Sequence, residues 1–117
     1  MNLRGALEPL QSLAGLVAGL VFTQDGLLVD QVGSRFSADL LAAELTGLAE
    51  AARGCFASLS LGEVRHFSTS LTAHDVIVLQ LPGHFLGLVF ERGSGSQLPA
   101  GLDEALQPLR AALGGRQ

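Results

Sequence analysis

The run Leu16-Val17-Ala18-Gly19-Leu20-Val21-Phe22-Thr23 carries no polar side chain before its last position. A strand with one wet face alternates polar with apolar residues, so a strand without that alternation needs cover on both sides. Asp75 to Leu81 and Phe85 to Phe90 repeat the demand. A chain of 117 residues can meet it only by laying helices on both faces of one sheet, and it is long enough to do so as a single domain, residues 1–117, without disulfide or metal.

The turns fix how the strands connect. Gln24-Asp25-Gly26 is a hairpin signal with Gly26 able to take positive φ, and Leu27 to Val32 is the returning strand. Turn chemistry accounts for Asp25 without a metal or phosphate. Gly19, in the middle of its strand, marks a place where a neighbour comes close. Glu63 to Leu71 is a more polar strand suited to a sheet edge, and Pro82-Gly83 joins the two late apolar strands in a tight turn, giving a three-strand meander.

Helical periodicity fills the gaps. Leu3, Leu7, Leu10 and Leu13 mark a first helix over Asn2 to Ala14, which Pro9 either bends or restarts. Gly93-Ser94-Gly95-Ser96 reads as a linker. Leu98, Leu102, Leu106, Leu109 and Leu113 mark a closing helix that Pro108 should kink, before a frayed tail over Gly114 to Gln117.

The longest helix runs from Ser37 to Leu59. Ser37 is its N-cap, Asp39 sits in its first turn, Phe36 can staple onto Leu41, and Gly62 is the candidate left-handed cap. At helical spacing Leu41, Leu45, Leu48, Ala52, Cys55, Phe56 and Leu59 share one stripe, expected to face the core, with Cys55 as a small, inert core residue. The opposite side carries Leu40, Ala43, Gly47, Ala51, Gly54 and Ser58, interrupted only by Asp39, Glu44, Glu50 and Arg53. Glycine inside a helix costs roughly 1 kcal/mol relative to alanine. Two outward glycines reflect either a tolerant solvated face or close contact with a helix of a second copy.

The element order predicts an α+β domain in three layers, α/β/α. A single five-stranded antiparallel sheet has the long helix on one face and the N- and C-terminal helices on the other.

Composition narrows function by exclusion. Hydrophobic residues make up 48% of the chain and charged ones 15%, the net charge is −4, and all seven cations are arginines scattered along it. There is no electrostatic footprint for nucleic acid or an anionic membrane. No segment reaches the roughly 20 apolar residues of a membrane span, and the first residues do not read as a signal peptide. The expectation is a cytoplasmic, soluble protein without membrane insertion.

Catalytic and metal motifs are weak. Ser68 or Ser70, His66 or His74, and Asp75 could be drawn as a triad, but all fall in one hairpin region without a nucleophile elbow. His66, His74 and His84 are eight and ten residues apart, with no Cys pair or i, i+4 histidines, so they read as turn and edge residues. The Gly93 to Ser96 loop lacks the lysine of a phosphate-binding loop. The expectation is a non-enzyme with no cofactor.

The Gly19 to Val29 hairpin, the alanine-rich helix after it and the late Leu86-Gly87-Leu88-Val89 strand resemble the roadblock family over nearly the whole chain. That family comprises roadblock-type dynein light chains and bacterial and archaeal regulators of small Ras-like GTPases. The resemblance implies a homodimer paired through the long helix and the third strand. Carried over, Ala43, Gly47, Ala51, Gly54 and Ser58 form the helix seam, and Arg65, Phe67 and Thr69 sit on the pairing strand. An unpaired edge bearing Phe67 invites strand addition, and a two-fold axis lets the strand pair with itself.

The resemblance also implies a Ras-like GTPase as partner, bound by the dimer and either regulated or scaffolded. Any acceleration of GTP hydrolysis would come from positioning the partner's own residues. No arginine is marked as a finger, and Arg35 and Arg53 read as solvated surface charges. Two rival readings are a purely structural dimerisation module of a larger assembly and a small-ligand sensor, against which strands saturated with Leu and Val argue for a filled core.

Overall fold

The computed structural model describes residues 3–33, 36–92 and 101–114. The expected cap at Asn2, the charge at Arg35, the Gly93 to Ser96 linker, Leu98 and the tail beyond Gly114 lie outside them.

The chain opens with a short helix α1 (Arg4–Leu7) that tightens at Pro9 into a 3-10 turn over Glu8–Ser12. Pro9 thus restarts the segment. Strands β1 (Leu16–Thr23) and β2 (Leu28–Val32) follow, then the 21-residue helix α2 (Ala38–Ser58), the meander β3 (His66–Ser70), β4 (His74–Leu81) and β5 (His84–Glu91), and α3 (Leu102–Gly114), which contains Pro108. The five strands form one sheet in the order β2-β1-β5-β4-β3, with every neighbouring pair antiparallel.

Alternate side chains of the central strands fill two cores. On one face Val21, Ile77, Leu79, Leu86, Leu88 and Phe90 pack with Leu7, Leu10, Leu106 and Leu109 of the terminal helices. On the other Leu20, Phe22, Val78 and Phe85 pack with Ala42, Leu45 and Ala49 of α2. The three-layer α/β/α architecture expected from unalternated strands is present. A Cβ on Gly19 would stand 3.3 Å from both Leu88 Cδ2 and Val32 Cγ2, so that glycine does mark close packing.

The facing of α2 departs from expectation. Its buried residues are Ala38, Ala42, Leu45 and Ala49, whereas Leu48, Cys55, Phe56 and Leu59, expected in the core, are exposed. Two causes act together. The helix seats on its alanines, rotated about 60° from the leucine stripe, because small residues let its backbone approach the sheet. Gly87 of β5 completes the fit: a Cβ there would lie 2.8 Å from Leu45 Cδ1. The C-terminal turns also lack cover, since every residue from Arg53 to Glu63 is exposed.

Ser37 caps α2 as expected, its Oγ accepting from the Leu40 amide at 3.4 Å, while the Phe36 ring packs edge-on against His74 at 5.3 Å. At the other end the amide of Ser60 donates to Ala57 and that of Leu61 to Phe56, the paired bonds of a Schellman motif. Ser60 therefore occupies the left-handed position (φ 56°), two residues before the expected Gly62. A side chain in that conformation costs about 1–2 kcal/mol. Ser60→Gly is expected to raise stability by about 1 kcal/mol, a few degrees in Tm by calorimetry, and an unchanged or lower Tm would remove this account of the helix end.

Candidate interaction surface

β2 and β3 are the two edges of the sheet. At the two ends of β3 the carbonyl of Arg65 accepts from the Gln80 amide, and the Leu71 amide donates to the His74 carbonyl. Hydrogen-bonded pairs alternate along an antiparallel ladder, so Arg65, Phe67, Thr69 and Leu71 bond inward to β4. The backbone N–H and C=O groups of His66, Ser68 and Ser70 then point outward, an open row for another strand.

The side chains beside this edge divide by face. Phe67 is opposite Val78, and Thr69 opposite Val76. Phe67, Val76 and Leu41 are half-buried at the margin of the core beneath α2. His66 and Ser68 are opposite Leu79 and Ile77 on the other face, where Ser70 Oγ donates to Asp75 Oδ1 at 2.9 Å. Asp75 is 1% exposed and fastens the β3–β4 hairpin. That placement gives Asp75 a structural use and leaves no approach to it for a substrate.

From Leu41 an apolar flank continues along α2. Leu48 and Cys55 follow at intervals of seven, and with Leu40, Ala51 and Leu59 they cover the side of the helix next to β3. Leu40 is 61% exposed, Leu48 46% and Leu59 58%, and Phe56 and Leu61 extend the patch past the sheet. Cys55 belongs to this exposed flank and not to the core.

Of the expected seam, Ala43, Gly47, Ala51, Gly54 and Ser58 are all exposed on α2. A side chain at Gly47 or Gly54 would meet nothing within 4 Å, whereas Ala43 lies against the β1–β2 turn, its Cα 3.7 Å from where a Cβ on Gly26 would be. Ser58 Oγ donates to its own helix at the Cys55 carbonyl. Arg65 is exposed just before β3, Thr69 is exposed on it, and Phe67 is the half-buried member. Sequence reading missed the outward row of His66, Ser68 and Ser70 and the leucine flank. The polar residues at every second position of β3, and the seven-residue spacing of Leu41, Leu48 and Cys55, were the available signals.

The arginine of α2 is engaged. The Arg53 guanidinium donates to the Glu50 carboxylate one turn earlier, and this hydrogen bond holds Arg53 above and Glu50 below their ordinary pKa values. Both groups are in water, where such a pair adds little to stability. The gap between Ala49, Phe67, Val78 and Phe85 under α2 has a volume of about 10 Å³, room for one water molecule. An open groove of about 860 Å³ lies where Arg53, Arg65 and His66 approach Pro82, Asp103 and Arg110. Among the described residues no cluster of His, Cys, Asp or Glu could hold a metal ion, and no helix is long and apolar enough to cross a membrane.

No family model matches the sequence, and no curated protein matches it either. Solved structures do. A Roadblock/LC7 domain from Streptomyces avermitilis superposes with a TM-score of 0.81 at 21% identity, over 98% of this chain and 97% of that one. MglB of Myxococcus xanthus gives 0.81 at 13% identity, over 98% and 99%. The gliding protein MglB of Thermus thermophilus gives 0.75 at 19% identity, over 95% and 87%.

Proposed function

We propose, from the roadblock fold that this chain shares with those structures, that it is a homodimeric regulator or scaffold of a small Ras-like GTPase, with no active site of its own. The observation that carries the reading is the outward backbone row of β3 beside a leucine flank on α2. Both halves of that surface are self-complementary. Two antiparallel copies of β3 centred on Ser68 place His66 of one copy opposite Ser70 of the other and satisfy the outward groups of both. An antiparallel α2 pair centred on Leu48 sets Leu41 beside Cys55 of the second copy and Leu40 beside its Phe56. Apolar surface left exposed on each subunit is buried in the pair. The joined sheets then present two long helices on one broad face, and that face receives the GTPase in the cytoplasm.

The space beneath α2 is filled and the larger groove beside Arg53 and Arg110 is open to solvent, which argues against a small-ligand sensor, since such a ligand is mostly enclosed by its pocket. The Glu50 contact argues against Arg53 as a catalytic finger. Stimulation of hydrolysis, where it occurs, comes from ordering the GTPase's own switch residues.

The test is light scattering of the purified protein, alone and with the Ras-like GTPases of the same genome loaded with GDP or a non-hydrolysable GTP analogue. Two copies per GTPase with preference for the GTP form is the expected result. Equal binding to both forms would make the protein a scaffold, and binding to neither would overturn the GTPase reading. Ser68→Pro removes an outward N–H that the β3–β4 ladder does not use, so the fold should persist while pairing weakens about 100-fold or more. A native-like Ser68→Pro protein with undiminished dimer mass would remove β3 from the interface.

A further inference from the structure

The opposite edge of the sheet is built differently. β2 pairs with β1 through Asp30 opposite Val21 and Val32 opposite Gly19, leaving the backbone of Gln31 between them on the outer side. Its amide is not open. Asp30 turns its carboxylate across the edge, so that Oδ1 accepts the Gln31 N–H at 2.8 Å while Oδ2 accepts the Leu3 N–H at 3.1 Å. The Leu3 bond ties the carboxylate to the segment leading into α1 and fixes it in that position. The register of β2 with β1 also shifts between Val21 and Phe22, which disturbs the ladder next to the turn. Among the described residues nothing of this kind covers His66, Ser68 and Ser70 on β3.

We propose that the Asp30 carboxylate closes the β2 edge to strand addition by a second copy, so that the sheet can extend through β3 alone and assembly stops at a finite number of copies. The closure is twofold. An incoming strand finds the Gln31 amide already satisfied, and its own carbonyl meets a carboxylate where it needs a donor. A second copy approaching in antiparallel fashion about Asp30 or Gln31 would bring its own Asp30 close to the first, and like charges on facing strand positions oppose pairing. Without the guard, two open edges per subunit would let paired copies add end to end into a continuous ribbon, since heterologous or repeated edge contacts do not close. The statement about unlimited growth rests on β3 pairing; the statement about the β2 edge does not.

The experiment uses Asp30→Thr, which suits an edge strand and removes the carboxylate, analysed by sedimentation velocity over a wide concentration range beside the wild type. The expected result is a wild-type mass that stays constant and an Asp30→Thr mass that climbs with concentration, by about twofold and more at the top of the range. In the double variant with Ser68→Pro, growth should stop at two copies joined through β2. Amide hydrogen exchange should show Gln31 protected in the wild type and released in the double variant diluted until it is monomeric.

An Asp30→Thr protein with native circular dichroism and wild-type mass throughout would overturn the proposal. If loss of the Leu3 contact prevents that variant from folding, Asp30→Asn keeps an oxygen for Leu3 but not the charge. Growth of its mass supports the guard, and constancy refutes it. Failure of the β3 reading is separable, for then wild type and Ser68→Pro would share one monomeric mass while Asp30→Thr alone doubled it.

Discussion

Gly33→Ala is expected to cost the fold about 2–5 kcal/mol, combining about 1–2 for a side chain in the left-handed region with about 1–3 for overpacking. Gly33 closes β2 before α2 with φ 82°, and a Cβ on it would stand 2.3 Å from the Val17 carbonyl oxygen and 2.9 Å from Ala18 Cα. The obstacle is backbone of the neighbouring strand, which cannot swing aside as a side-chain tip can. Relief would require β2 to lift from β1 at the point where the chain turns up onto the helical face. Urea unfolding should show a midpoint lowered by more than one molar for a domain of this size. Gly83→Ala supplies the control, since Gly83 also has positive φ but nothing within 4 Å of its Cβ position, and its cost should be confined to the conformational part, about 1–2 kcal/mol. Equal losses in the two variants would show that the contact with β1 is unimportant.

Phe22→Ala should cost about 3–5 kcal/mol, the usual range for deleting a buried aromatic side chain. Phe22 is fully buried, and its ring lies 5.6 Å from that of Phe85 at a tilt of 32°. It also lies beside the position of Gly87 on which Leu45 rests. The cavity would therefore open under the middle of α2, where the small alanines have no reach to refill it. The measurable signature goes beyond lower stability. Exchange of α2 amides should quicken before that of β1 and β5, because the second core, with the terminal helices, still holds those strands from the other side. Uniform acceleration across the sheet would mean that the two cores do not act separately.

Much of the fold was legible because it depends on patterns that one dimension records. Strands without polar alternation demanded two layers of cover, and Gly26 and Pro82-Gly83 announced their turns. The position of Ser37 before a long periodic run announced a helix start, and the Ser37–Leu40 bond is there. The facing of α2 was not legible. Periodicity ranks residues by hydrophobicity, and the leucines outweigh the alanines in that ranking. The sheet selects by size, so it takes the alanines and leaves Leu48 and Leu59 outside. Gly87 explains that choice, but its meaning depends on Leu45, forty-two positions away in the chain.

Helix termination at Ser60 was hidden for a similar reason. Glycine is the usual sign of a left-handed residue, and Gly62 offered one nearby, yet the bonding partners Phe56 and Ala57 fix the reversal earlier. At the candidate surface, the polar alternation of β3 signalled an edge, but which of its amides face outward follows only from the register with β4. The closing of β2 by Asp30 depends on a rotamer, and no sequence pattern records it.

The seating of α2 on alanines sets two opposite rules for change along a single helix. Beneath it, at Ala38, Ala42 and Ala49, each added methylene must be paid for by lifting the helix, so those sites are confined to the smallest residues. Above it, one side chain can replace another with little effect on folding, because little but solvent lies outside the flank. The helix can thus exchange its contact chemistry while its position stays constant, much as a key can be recut without altering its shank. Descendants of such a chain could acquire new associates by altering the exposed row alone, with no intermediate that fails to fold.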